Sequence, residues 1–284
     1  MAALFCEVIL APCFTFDGVS ALITGASAGL GVEFARQLAP RARCLVLVAR
    51  RESALTSVRD ELLQLNPQLQ VVLCPADVST SEGRQRVVDR ITECGVAINL
   101  LINNAGIGDY GPFSTAEAAR IQGQIDVNIT GLVQMTHTLL PTLSQNRPAG
   151  ILNVSSLAGI LPLPDMAIYA ATKAFVTSFS EALRIELLDE GIHVTALCPG
   201  PTPTTFSQSA RRASGQDANR TGHGFLKLPP ERVVADGLAA LERNPPAIYP
   251  GWGVSFLAFV FRVMPRWIGW RMLARRLRAS RRHT

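Results

Sequence analysis

The 284-residue chain has six cysteines but no Cys-x-x-Cys pair, only four histidines, and no acidic residue after Glu242. His137, His193, His223 and His283 lack the close spacing of a metal clasp, so no metal site is expected. Cys6, Cys13, Cys44, Cys74, Cys94 and Cys198 fall partly within apolar runs such as "CLVLVA" and "VVLCPAD". Such cysteines read as buried reduced thiols of a cytoplasmic protein rather than a disulfide framework. Charged residues make up only 17% of the chain against 48% apolar, which excludes a disordered polyelectrolyte and provides for a full core.

A long uninterrupted apolar run is also missing. The opening "MAALFCEVILAPCFTF" is broken by Glu7 and Pro12 and has no basic stretch before it. Residues 1–16 therefore read as an apolar arm, not a signal peptide or spanning helix. The net charge of +5 belongs to the end of the chain: nine arginines lie from Arg243 onward, leaving 18 basic and 22 acidic residues elsewhere. A body without a basic stripe disfavours nucleic-acid binding.

What is present is alternation. Apolar, β-rich runs occur at 19–24, 44–49, 69–74, 98–103, 150–155, 193–198 and 247–250. Helix-patterned segments lie between them at 29–39, 52–65, 80–94, 115–143, 167–190 and 230–243. Nearly continuous apolarity suits parallel strands buried on both faces. The pattern predicts one doubly wound, Rossmann-type α/β domain over 17–250, with about seven parallel strands flanked by helices on both faces. The polar stretch 207–224 interrupts that rhythm and is expected to form a lid or binding loop.

The first strand runs directly into "TGASAGLG". Glycines at 25, 29 and 31 permit a sharp turn and close approach to a pyrophosphate, and the next helix offers unpaired N–H groups. Thr24, Gly25, Ser27, Gly29, Leu30 and Gly31 are thus expected to hold a dinucleotide. The second strand ends at Ala49, where NAD enzymes of this architecture carry an acid, and continues with Arg50 and Arg51. Guanidinium groups suit a 2′-phosphate, so NADP(H) is the expected cofactor.

"SSLAGILPLPDMAIYAATK" places Tyr169 four residues before Lys173 and thirteen after Ser156. On a helix the phenol and ammonium share a face, while the serine can fold back from its loop. Hydride transfer to a carbonyl builds charge on oxygen that must be protonated, and a free phenol, with a pKa of about 10, is too weak an acid near neutrality. A nearby cation is expected to lower that pKa.

These motifs, with Asp77 in "ADV", "NNAG" at 103–106, Asn128 in "DVNITG" and "PGPTPT" from Pro199, resemble the short-chain dehydrogenase/reductase family from Thr24 to Thr204. The resemblance implies that Tyr169 is the general acid/base and that Lys173 lowers its pKa and binds the nicotinamide ribose. It implies that Ser156 donates to the substrate oxygen and Asn128 positions a water. Asp77 and Val78 would meet the adenine, and Asn104, Ala105 and Gly106 the adenosine ribose side. Pro199 and Gly200 would also line the cofactor, and Thr202 and Thr204 would hold the nicotinamide carboxamide, although the family more often has an aliphatic residue where Thr202 stands. Homodimers or homotetramers are common in the family.

Three N-x-[ST] strings begin at Asn128, Asn153 and Asn219; the first two fall in a helix and a core strand, where no glycan fits. The tail, 251–284, has all three tryptophans: Trp252, Trp267 and Trp270. A helical wheel puts Trp267, Trp270, Leu273, Ala274 and Leu277 on one side, with Arg271, Arg275, Arg276 and Arg278 mostly opposite. The segment reads as a basic amphipathic tail lying on the cytoplasmic face of a membrane; the alternatives are a cap on the pocket or a subunit contact. A pocket walled by "ILPLPDM", the lid and this tail is expected to be mostly apolar. It would suit a hydrophobic carbonyl or alcohol, such as a 3-oxoacyl chain, a steroid-like compound or another lipid. A small polar carbonyl, or a non-catalytic NADP-binding scaffold, are the competing readings.

Overall fold

The computed structural model describes residues 14–212 and 226–281. Residues 1–13 of the expected arm, 213–225, which take in most of the expected lid and Asn219, and 282–284 of the expected tail lie outside the described residues.

Seven parallel strands form one sheet in the order β3-β2-β1-β4-β5-β6-β7. They are β1 (Ser20–Thr24), β2 (Cys44–Ala49), β3 (Gln70–Pro75), β4 (Leu100–Asn103), β5 (Ala149–Val154), β6 (Ile192–Leu197) and β7 (Ala247–Ile248). Alternate residues of each strand enter opposite cores. Leu45 and Leu47 join Phe34, Leu38, Leu55 and Leu238 on one face. Val46 and Val48 join Val87, Met135, Leu139 and Leu183 on the other. Helices α1 (Leu30–Leu38), α2 (Glu52–Leu65) and α8 (Pro230–Arg243) cover the first face. Helices α3 (Ser81–Glu93), α5 (Leu132–Gln145) and α6 (Ala167–Glu186) cover the second. The strand order reverses between β1 and β4, which opens the crevice where such sheets bind ligands.

The segment expected as one helix over 115–143 is three pieces. A 3-10 turn (Phe113–Thr115) precedes α4 (Ala118–Ile125), and a π-helical turn (Asp126–Gly131) leads into α5. At the wide turn, the Asn128 side chain bonds both backbone groups of Ile107, at 2.9 Å each. Such turns commonly mark functional positions. The expected helix 167–190 ends at Glu186, and a 3-10 turn follows before Gly191 adopts φ 68°. After β6 comes the single-turn helix α7 (Phe206–Ser209). Beyond β7 the tail forms α9 (Trp252–Val263) and α10 (Arg266–Arg281), separated at Pro265.

A buried amide network braces the sheet. Asn103 on β4 donates to Asn153 on β5 and Thr136 on α5, both at 2.9 Å, and Asn153 donates to Ser180 on α6. Asn153 and Asn128 are buried, so neither glycosylation string has an accessible asparagine.

Candidate active site

The glycine turn is built from both sides of the strand-order reversal. Thr24 Oγ1 accepts from the backbone N–H groups of Asn104 and Ala105 at 3.0 Å, and the Asn104 side chain donates to the carbonyls of Thr24 and Gly25. Gly25 and Gly29 have φ of 67° and 57°, where a side chain is strained. A Cβ on Gly31 would lie 2.2 Å from the Gly25 carbonyl oxygen. Ser27 lies within this turn, and Leu30 opens α1 with no side chain capping the helix start. A helix N-terminus without a capping side chain, approached through glycines, fits a pyrophosphate. Thr204 packs against Gly29, bringing the "PGPTPT" turn to the same place.

At the ends of β2 and β3, the exposed Arg50 guanidinium lies 3.8 Å from the Asp77 carboxylate. Asp77 also accepts from the backbone and hydroxyl of Ser79. Arg51 is exposed at the start of α2, and Val78 is buried. Ala49 remains the last residue of β2, so Arg50 and Arg51 are the charged groups there and no carboxylate precedes them. This rim suits an adenosine ribose bearing a 2′-phosphate.

Helix α6 delivers Tyr169 and Lys173 to the end of β5. Both are buried. The Lys173 ammonium donates to the Val154 carbonyl at 2.8 Å and lies 5.8 Å from the Tyr169 ring centroid. Ser156 Oγ accepts from the Ala158 N–H at 3.1 Å, and its hydroxyl favours the Tyr169 phenolate. The turn after the serine rests on α6 so closely that a Cβ on Gly159 would meet the Lys173 carbonyl carbon at 2.7 Å. A Cβ on Gly106 would stand 3.4 Å from both Lys173 Nζ and Asn128 Oδ1. Ala105 and Gly106 thus link the Tyr–Lys–Ser–Asn cluster to the glycine turn. Asn128 also donates to Thr172 Oγ1 at 3.0 Å.

Burial sets the electrostatics of this pair. The Tyr169 phenol is held well above its ordinary range because burial disfavours the phenolate, with the Ser156 hydroxyl acting in the opposite sense. Burial pushes Lys173 down to about 8. Among the protein groups, desolvation is the largest influence on both side chains. The adjacent Ser155 is spent differently, within 2.7 Å of the Lys173 carbonyl and Thr177 Oγ1. Thr202 turns its hydroxyl to the Gly200 carbonyl at 3.2 Å, and Pro199 accepts from Leu157.

Several neighbours had no sequence signal. Phe206 stands 5.5 Å from the Tyr169 ring, centroid to centroid. Asp109, after β4, is buried and bonds Arg212 through both oxygens, with Arg120 at 3.1 Å. Asp109 and Arg212 border an open depression of about 250 Å³, also lined by Phe113, Gln124 and Met166. Its wall mixes charged and apolar side chains. Cys44, Cys74 and Cys198 are buried free thiols, and burial pushes the first two up to about 11. Among the described residues no cluster could hold a metal ion.

Residues 20–215 match the family model described as short chain dehydrogenase. The chain belongs to the short-chain dehydrogenase/reductase family. It is 38% identical to sulfoacetaldehyde reductase 2 of Chromohalobacter salexigens, over 66% of this chain and 73% of that protein. It is 30% identical to the very-long-chain 3-oxoacyl-CoA reductase of Anas platyrhynchos, over 87% of this chain and 76% of that one. The short-chain dehydrogenase of Sphingobium yanoikuyae, solved in complex with NADPH, superposes with a TM-score of 0.73 at 29% identity, covering 92% of this chain and 95% of that one. This member of the family is accordingly an oxidoreductase of alcohol and carbonyl groups.

Proposed function

We propose that the protein is an NADP(H)-dependent reductase of hydrophobic carbonyl compounds, peripheral to the cytoplasmic face of a membrane. The observation that carries the reading is the convergence of Tyr169, Ser156, Lys173 and Asn128 beside the glycine turn. NADP(H) supplies or accepts the hydride when bound. Thr24, Gly25, Ser27, Gly29, Leu30, Gly31, Asp77, Val78, Asn104 to Gly106, and Pro199, Gly200, Thr202 and Thr204 would hold it, with Arg50 and Arg51 suited to its 2′-phosphate.

The chain's own residues then handle oxygen and proton. Ser156 donates to the substrate oxygen, stabilising negative charge as it develops. Tyr169, protonated in its buried position, is the general acid in reduction and, once deprotonated, the base in oxidation. Lys173 binds ribose hydroxyls and resupplies the proton, with Asn128 ordering a water behind it.

Hydrophobic substrates are favoured by Phe206 over Tyr169, by the part-exposed Ile160, Leu161, Leu163 and Met166, and by the likeness to a 3-oxoacyl-CoA reductase. A second reading, a small anionic carbonyl, draws on Arg120 and Arg212 and on the likeness to a sulfoacetaldehyde reductase. Turnover with NADPH across 3-oxoacyl, steroid, sulfonated-aldehyde and sugar carbonyls decides. Preference for the first two supports the proposal; a higher kcat/KM on the sulfonated aldehyde replaces it with the second. The long helices of the fold would support a homodimer or homotetramer, as is common in the family.

A further inference from the structure

Helix α9 is apolar on both sides. Inward, Gly253, Val254 and Ala258 are buried, and the helix packs on the turn that follows Ser156. A Cβ on Gly200 would meet Val254 at 2.7 Å. Outward, Trp252, Phe256, Phe259 and Val263 follow one another at i, i+4, i+7 and i+11, a single stripe along the helix. Trp252 is 83% exposed and the other three 63%. Helix α10 adds Trp267, Trp270 and Met272, each more than half exposed. Seven of the twelve exposed large apolar side chains among the described residues thus lie between 252 and 272. Surface helices ordinarily bury one apolar side and wet the other, and so concentrated a patch marks an interaction site.

The charge around the stripe is of one sign. Nine arginines and no acid occupy 243–284. Arg266 stands 5.7 Å from the Trp270 ring centroid, and Arg271 5.1 Å from that of Trp267. Guanidinium groups stacked on indoles place charge and aromatic surface together at headgroup depth. A second copy docked tail to tail would bring these arginines together without compensation. Among the described residues no helix is long and apolar enough to cross a bilayer.

We propose that the α9–α10 face is a docking surface for a bilayer containing anionic lipid, with the α9 stripe entering the interface and the α10 arginines on lipid phosphates. This deepens the peripheral placement proposed above, and it sets the bilayer behind the turn that carries Ser156.

All three tryptophans lie in this segment, so intrinsic fluorescence reports on it directly. The full chain is mixed with vesicles of phosphatidylcholine, with or without phosphatidylglycerol, and followed by co-flotation and emission wavelength. Turnover of a water-soluble hydrophobic ketone is measured in parallel without vesicles. Flotation and a blue shift with phosphatidylglycerol, reduced by salt, are expected. The pair Phe256→Ser/Phe259→Ser should abolish flotation. Arg271→Gln/Arg275→Gln should weaken it about 30-fold, from ~1 kcal/mol per arginine. These positions are exposed, and unchanged ketone turnover confirms that each variant is folded. Absence of flotation, equal flotation on both vesicles, or a lipid-independent dimer lost in the phenylalanine variant would each overturn the docking. Ketone turnover without flotation leaves the reductase standing, whereas flotation without turnover does the reverse.

Discussion

The rings of Tyr169 and Phe206 lie 5.5 Å apart, tilted by 45°. The proton donor of the proposed reaction is therefore covered by the first residue of α7, in the segment that follows the "PGPTPT" turn. That segment is fastened elsewhere: Tyr110 N–H donates to the Ala210 carbonyl, and Asp109 grips Arg212. Removing the Phe206 ring lets water reach the phenol and lowers its pKa, because burial is what raises it. Phe206→Ala should shift the rising, acid-side limb of alcohol oxidation to lower pH and raise KM for hydrophobic ketones. The half-buried ring costs about 2 kcal/mol of stability at most. An unmoved pH profile would mean that the ring does not control solvent at Tyr169.

Tyr169→Phe removes one oxygen and little volume. Loss of a positioned proton donor costs about 100- to 10,000-fold in kcat. NADPH binding, read by quenching of tail tryptophan or by cofactor fluorescence, should change little. A variant that kept its turnover would remove the phenol from the mechanism.

Much of this arrangement was legible in the chain. The strands reveal themselves by continuous apolarity, and α2 and α8 match their expected bounds, with Pro67 and Pro245 just past their ends and Pro229 and Pro230 opening α8. The cofactor turn, Ser156, Tyr169 and Lys173 are local motifs whose spacing survives folding. What escaped depends on meetings between distant segments. Asp109 and Arg212 are 103 residues apart, and neither has a local pattern to mark it. The wide turn at Asn128 arises from its bonds to Ile107, which periodicity cannot anticipate. Nor can sequence weigh desolvation: that Tyr169 and Lys173 are both buried is a property of the assembled fold.

Gly31→Ala tests the cradle. The new methyl would sit 2.2 Å from the Gly25 carbonyl oxygen and 2.7 Å from the Asn104 amide, so the turn must shift. A displaced turn loses the close approach to the pyrophosphate. We expect NADPH affinity to fall at least about tenfold and stability by about 1–3 kcal/mol. Isothermal titration and denaturant melts measure the two effects; undiminished affinity would separate this turn from the cofactor.

Arg50→Asp tests the cofactor choice. Arg50 is exposed and only loosely paired with Asp77 at 3.8 Å, so the fold has little dependence on it. An aspartate would repel a 2′-phosphate and accept from ribose hydroxyls. KM for NADPH should rise about 10- to 100-fold, in line with ~1.5–3 kcal/mol for a charged hydrogen bond, while KM for NADH falls. An unchanged ratio would assign the 2′-phosphate to Arg51 or to neither.

Lys173 carries opposite signs for activity and stability. Burial lowers its pKa from the ordinary 10.5 to about 8, so between those values the unfolded chain holds a proton that the folded chain has released. Stability from this group is therefore complete above about pH 10.5 and declines as pH falls through about 8. Raising the pH from 8 to 9.5 should stabilise the wild type relative to Lys173→Met by ~2 kcal/mol, from 1.36 kcal/mol per pH unit. The methionine has a similar stem and no buried charge, so at pH 7 its stability should equal or exceed the wild type, whereas its turnover collapses. Urea denaturation of both proteins at several pH values gives the difference directly. Parallel stability curves would show that the ammonium is charged as readily in the folded protein as in water, and the desolvation argument for Lys173 would fail.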